Sequence, residues 1–460
     1  MKPPISRSLF FLLGALLVKP VFALSLLEAW EGARTADQEL AAAFSAFQAG
    51  ATRLAQARAL WLPSVNASAT SGRATSSSTT RDAGFSAPGF GTSRNVEFQT
   101  SVNNGSLNRW TVNASQPVYN RERLAQGRQL EASASAAEAN WVAAQQAALL
   151  RTTERYFAVV QAETALLLVQ RQQVAVERAL SEAKDRYRIG DKPIIDSHEA
   201  TARAEAVRAQ ALLAESELQL HQDAFRNQIG CEPKALWVPN AAPTKHPGPL
   251  ADWLLRAASD NPTLHMLEAR LVSSKEEAAR YGTMTAPTVD IVAQSGRERL
   301  AGSGDYGNNA SNEIRNSMIG VQLNIPIFTG GMRSAKQEEA LRLADKTRHE
   351  NERAKQQIEH STRAAWLGVT VGTTRVAALE ANVKASAARL DATRLGHKVG
   401  DRTMLDLLNA ENDASNAELD LLKARIGVIL DRMRLAMATG TLDEKLLAAM
   451  SRDISATKRY

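Results

Sequence analysis

From Arg128 to Ile189 the chain contains neither glycine nor proline and is dense in Ala, Glu, Gln, Leu and Arg. These residues favour helix, and a run of about 60 makes a rod of roughly 90 Å. A rod of that length is stable only if it buries an apolar stripe along partners. Polar residues such as Arg171, Gln172 and Gln173 crowd between its apolar positions, which suits a shallow helical wall better than a globular core. A second run extends from about Gly331 to Leu395, interrupted only by Gly368 and Gly372, and no proline follows Pro326.

The two rods belong to a larger repetition. Leu40 and Pro63 match Leu264 and Pro287, while Pro117, Phe157, Gly190, Asp196 and Ala200 match Pro326, Trp366, Gly400, Asp406 and Ala410. Proline and glycine punctuate structure rather than fill it, so their shared register points to an internal duplication. The reading divides the chain into a leader over 1–23, a first repeat over 24–230, a Pro-rich inter-repeat segment over 231–250, a second repeat over 251–440 and a C-terminal tail over 441–460. The first repeat holds a helix, strands at about 63–71 and 107–119, a long helix at about 121–189 and a helix at about 194–229. The second holds a helix, strands at about 287–295 and 314–328, a long helix at about 331–396 and a helix at about 403–439.

The strands carry a period of two. Ile319, Val321, Leu323, Ile325 and Ile327 alternate with polar Gln322 and Asn324, and Val65, Ala67 and Ala69 alternate with Asn66, Ser68 and Thr70. Val289, Ile291, Ala293 and Trp110, Val112, Ala114 repeat the plan. Such alternation fits a wall with lipid on one side and water on the other; an ordinary half-buried antiparallel sheet has it too. Four strands cannot close a spanning barrel, since about eight is the minimum, so strands in a membrane require several chains to share one barrel. The segments Ser71–Asn95 and Ser295–Asn312, rich in Gly, Ser, Thr and Asn, read as exposed loops. Gly302, Gly304 and Gly307 have the spacing of a dinucleotide loop, but no helix follows to receive a pyrophosphate.

Lys2 and Arg7, the apolar run Leu9–Val18 and Val21-Phe22-Ala23 form the order of a secretory signal peptide cleaved after Ala23. About ten apolar residues are too few for a spanning helix. Its removal takes Lys2, Arg7 and Lys19 from a net charge of +6, which leaves no argument for nucleic acid. The lone Cys231 excludes a disulfide framework. The seven histidines are scattered, and no H-E-x-x-H, nucleophile elbow or P-loop occurs, so neither enzyme, metal site nor cofactor is expected.

The duplicated plan, Asp260-Asn261-Pro262-Thr263-Leu264, the strand ends Gln116-Pro117-Val118-Tyr119 and Ile325-Pro326-Ile327-Phe328, and the turns Gly190–Asp196 and Gly400–Asp406 together resemble the TolC-like outer-membrane efflux proteins. The resemblance implies an α+β membrane protein: a homotrimer with a 12-stranded outer-membrane β-barrel, four strands per chain, continued by a long periplasmic α-helical barrel. It implies localisation in the cell outer membrane, with a large periplasmic portion. It also implies a periplasmic adaptor and an inner-membrane ABC or proton-driven transporter as partners, met at the helical tips through Gly190, Pro193, Gly400 and Thr403. Ile319, Val321, Leu323 and Ile325 then face outer-membrane lipid.

The resemblance further places Asp406 at the tunnel entrance, where three copies form a ring of carboxylates. Asn409 stands one turn on, where the family often has a second acid. Thr403 and Asp406 also fit a T-x-x-D capping box, the purely structural alternative. Asp196 and Arg402 are expected to hold the two tips together, or else to be solvated end charges. The favoured function is the exit duct of type I protein secretion, because the lipidated N-terminal cysteine of many drug-efflux members is missing. The alternatives are a small-molecule efflux channel and, in another class, a periplasmic coiled-coil scaffold.

Overall fold

The computed structural model describes residues 24–455 except 192, 233–234, 242–245 and 306; the expected signal peptide lies outside them. The described elements are α1 (Leu26–Ala36), α2 (Gln38–Ala59), β1 (Ser64–Ala87), β2 (Gly91–Tyr119), α3 (Arg121–Arg188) and α4 (Ile194–Ile229), followed by α5 (Leu250–Asp260), α6 (Pro262–Gly282), β3 (Thr288–Gly304), β4 (Gly307–Asn324), α7 (Met332–Lys398), α8 (Met404–Ala438) and α9 (Glu444–Ser455). They divide into two units: one of residues up to Ser45, Trp141–Pro262 and from Lys355 on, the other of Ala46–Asn140 and Thr263–Ala354.

The second unit carries one antiparallel sheet in the order β1-β2-β3-β4. Register pairs Val289 with Leu323, Ile291 with Val321 and Ala293 with Ile319, so their side chains share a face. Ala67 pairs with Val112, and Ala114 with both Val65 and Ala293, which extends the apolar face across all four strands. The other face carries Asn66, Ser68, Thr111, Asn113, Gln294 and Gln322. The apolar side chains lie open, Ile319 at 80% and Val321 at 72% exposure.

Two strand expectations need correction. The polar segments Ser71–Asn95 and Ser295–Asn312 are not loops: β1 runs to Ala87, β2 begins at Gly91, and β3 and β4 are joined across Asp305 and residue 306. Backbone pairing sustains them where side-chain alternation is absent, since a strand with both faces in water needs no apolar side. At the other end β4 stops at Asn324, so Ile325 lies beyond it. Pro326 has no N–H to continue the ladder.

The first unit has the larger core. Leu26, Trp30 and Ala33 of α1, Tyr156, Phe157 and Val160 of α3, Phe225 and Ile229 of α4, Ile426, Ile429 and Met433 of α8 and Leu447 of α9 are buried together. Tyr156 packs edge-on to Phe157 and Phe225, donates its hydroxyl to the Leu24 carbonyl at 2.9 Å and accepts the Trp237 N–H at 2.8 Å. Burial pushes its phenol well above the usual tyrosine range. Trp30 Nε1 and Arg34 both donate to Glu444, tying α1 to α9.

Asp37, between α1 and α2, accepts the N–H groups of Glu39 and Leu40 and the guanidinium of Arg151 at 2.7 Å. Burial pushes its carboxyl up, but Arg151 and these hydrogen bonds outweigh it and hold the pKa below the ordinary value. Between α5 and α6 the second repeat uses Asn261, which donates to the Ala438 carbonyl at 2.8 Å. The glycines inside α7 mark where α8 comes close: a Cβ on Gly368 would strike the Asp431 carboxylate, and one on Gly372 would lie 2.7 Å from Val428 Cγ2.

Candidate functional site

The α3–α4 and α7–α8 turns are built alike at their first step. Gly190 and Gly400 take positive φ, 79° and 82°, which glycine adopts without the steric cost of a Cβ. The N–H of Asp191 then returns to the Arg186 carbonyl and that of Asp401 to the Gly396 carbonyl, both at 2.9 Å. These bonds satisfy carbonyls left over at the helix ends in the manner of a Schellman stop.

The next helices start differently. Thr403 caps α8: its hydroxyl accepts the Asp406 N–H at 3.1 Å, while the Asp406 carboxylate accepts the Thr403 N–H at 3.0 Å and its hydroxyl at 2.8 Å. The Thr403 donors, with Arg402 and Arg389 nearby, hold the exposed Asp406 carboxyl below its ordinary pKa. Pro193 begins α4 with no side-chain cap, and Asp196 stands in its first turn.

Arg389, Ala392, Thr393, Gly396, Asp401, Arg402, Asp406 and Asn409 line a cleft of about 360 Å³. Gly396 opens it: a Cβ there would lie 2.7 Å from Arg402 Cγ, so only a bare backbone lets this side chain lie across the last turn of α7. Beside the cleft, Arg389 pairs with Asp413 at 2.9 Å and Arg394 with Glu411 at 3.2 Å, lacing α7 to α8. Val176, Ala179, Ala204, Val207 and Leu408 form the apolar layer joining α3, α4 and α8.

The expected bridge between Asp196 and Arg402 is absent from the ion pairs of the described residues. Arg402 stands 4.0 Å from its neighbour Asp401 instead, its side chain lying over its own turn in the room that the bare Gly396 leaves. Asp406 and Asn409 do share the cleft, and Thr403 and Asp406 form the cap that the T-x-x-D spacing describes. Sequence reading missed Arg389, Gly396 and Leu408. Gly396 carried a signal, a glycine in the last turn of a helix before the stopping glycine; Arg389 and Leu408 carried none, since their roles depend on how three helices meet. The described residues include no cluster of His, Cys, Asp or Glu able to hold a metal, and no described helix is long and apolar enough to cross a membrane.

Comparison with known proteins places these features in context. The profile of the family described as "Outer membrane efflux protein" matches residues 31–230 and 253–441. The chain is 28% identical over 359 residues to outer membrane protein TolC of Vibrio cholerae, covering 76% of this chain and 80% of that one. It is 24% identical over 452 residues to the alkaline protease secretion protein AprF of Pseudomonas aeruginosa, covering 95% of this chain and 89% of that one. Among solved structures, the CmeC outer membrane channel of Campylobacter jejuni shares the fold with a TM-score of 0.71 at 16% identity, over 98% of this chain and 97% of that chain.

Proposed function

Because the chain belongs to the outer membrane efflux protein family, we propose that three copies form one passive exit duct, with four strands each in a shared 12-stranded barrel and the helices in a periplasmic tunnel. As a member of this family it is an outer-membrane channel protein and not an enzyme. The observation that carries the trimer is the sheet: its apolar face lies open, and β1 and β4 are edge strands. Unpaired edges and an open apolar face have no stable place in a bilayer unless a closed barrel pairs the one and lipid covers the other. Ile319, Val321 and Leu323 are the lipid-facing residues of that barrel, and Ile325 lies just past it. Energy comes from partners: a periplasmic adaptor and an inner-membrane transporter meet the turns at Gly190, Pro193, Gly400 and Thr403. The apolar side chains of Ile189, Ile194, Ile195 and Val399, all exposed around these turns, suit docking there.

Type I protein secretion is the favoured system, because the relative named for alkaline protease secretion aligns with nearly the whole chain. Small-molecule efflux is the second reading, favoured by the family's description. Native mass of the protein extracted in mild detergent tests the duct. Three chains resisting dissociation are expected, while a water-soluble monomer or dimer would instead support the periplasmic scaffold.

In the trimer, the three Asp406 carboxylates ring the entrance and attract cations. Asp406→Ala then lowers cation preference in planar bilayer recordings; unchanged ion selectivity would leave Asp406 as a helix cap alone.

A further inference from the structure

The apolar sheet face does not stay apolar to its far end. In three successive rows of paired residues it carries Ala69, Trp110, Arg297 and Arg315, then Ser71, Asn108, Arg299 and Glu313, then Arg73, Ser106, Ala301 and Ser311. Four guanidiniums thus stand against one carboxylate on this side. The rows that alternate with them on the opposite face hold Thr70, Arg109, Glu298 and Ile314, then Gly72, Leu107, Leu300 and Asn312, whose only charges are the paired Arg109 and Glu298. The excess positive charge belongs to one face only.

Glu313 serves two of the four, accepting from Arg297 at 2.7 Å and from Arg315 at 2.8 Å. Nε of Arg297 is buried without an acceptor. Arg73 and Arg299 make no ion pair among the described residues, and both are exposed. Guanidinium forks match phosphate oxygens in geometry as well as charge.

The height of the cluster names the occupant. The rise from Leu323 to Arg315 is about 27 Å along the strand, or about 20 Å along the membrane normal at the ~40° tilt of barrel strands. The apolar band of an outer-membrane barrel is about 25 Å tall and is bordered by aromatic residues, and Trp110 lies in the lowest arginine row. The arginine rows therefore lie at the upper edge of that band, on the side of it away from α2, α3, α6 and α7, with β1 and β2 continuing beyond them. With the helices in the periplasm, as in the duct reading on which this rests, that edge meets the outer leaflet.

We infer that Arg73, Arg297, Arg299 and Arg315 form a lipid-facing site for the phosphates of a phosphorylated glycolipid of the outer leaflet. Glu313 holds two of the guanidiniums upright and leaves the outer pair free to grip the ligand.

The test uses detergent-purified trimer and native mass spectrometry, with bisphosphorylated lipid A as the probe and dephosphorylated lipid A as its control. The wild type is expected to retain lipid A, and Arg73→Gln with Arg299→Gln to weaken it by roughly five-fold for each guanidinium removed. The same positions changed to Lys should restore only part of the loss, because an ammonium keeps the charge but not the fork, and Arg109→Gln, on the opposite face, should leave binding unchanged. Equal binding by the double Gln variant, or equal binding of dephosphorylated lipid A by the wild type, would overturn the site. Phosphatidylglycerol competing as well as lipid A would overturn its assignment to a glycolipid. A wild-type protein that yields no trimer would instead bring down the duct reading, and this site with it.

Discussion

The two helical turns agree in how they stop one helix and differ in how they start the next. Gly190 and Gly400 close α3 and α7 with the same left-handed residue and the same returning hydrogen bond. Beyond that point α4 begins behind an uncapped Pro193, whereas α8 begins behind Thr403 with a closed capping box. The position of Arg186 in the first turn is taken by Gly396 in the second. Arg186 pairs with Glu182 at 2.7 Å on its own helix, while Gly396 admits the side chain of Arg402. Repetition has kept the part set by backbone sterics, which few residues can satisfy, and released the part set by charge and packing, which many can. The second turn is consequently the more tightly organised of the pair.

The largest expected effect comes from packing. Leu408→Ala, which empties a buried position beside Val176 and Val207, should cost about 2–5 kcal/mol. His198→Ala, the exposed equivalent in the first turn, should stay within about 0.5 kcal/mol. Equal shifts in denaturant midpoint would erase the proposed asymmetry. Next, Gly396→Ala should cost roughly 1–3 kcal/mol by displacing Arg402, and Arg186→Ala less than about 1 kcal/mol, as for an exposed ion pair; thermal unfolding of the two variants ranks them.

Smaller still, Thr403→Ala should cost about 1 kcal/mol of helix start. It is read as faster amide hydrogen exchange at Met404–Asp406, with Ile194–Asp196 as the internal reference. If exchange at the two helix starts is already equal in the wild type, the cap does not distinguish them. The smallest effect is that of pH. The Asp406 carboxyl titrates below its ordinary value in the folded chain, so its contribution is complete above about pH 4, the unfolded value. It is lost as pH falls through the lowered folded value. Exchange at the start of α8 should rise over that interval, while that at α4, which lacks such a cap, should show no matching step.

What sequence made legible follows the same division. Helix stops were visible because glycine at positive φ is nearly obligatory, and the Thr403–Asp406 cap because its spacing is local. The parts of the four strands nearest the helices were visible in their alternation of apolar and polar residues. Their extensions over Thr75–Ala87 and Gly91–Thr100 were not, because a ribbon with water on both faces has no two-fold hydrophobic pattern, and its Ser, Thr and Gly read as loop. Asp196 and Arg402 were matched on opposite charge and on the correspondence of the two turns. Arg402 lies over its own turn beside Gly396, a side-chain direction that no linear pattern encodes.

The order of strands has a kinetic consequence. β1 with β2 and β3 with β4 are hairpins that close locally, but β2 meets β3 only after two distant parts of the chain find each other, the slower kind of event. A chain that has completed its own sheet still presents edge strands of 24 and 18 residues. Such edges pair with whatever strand arrives first. In the duct we propose, assembly is then a race between like subunits and aggregation, so the yield of functional protein should peak at an intermediate rate of synthesis and fall on either side.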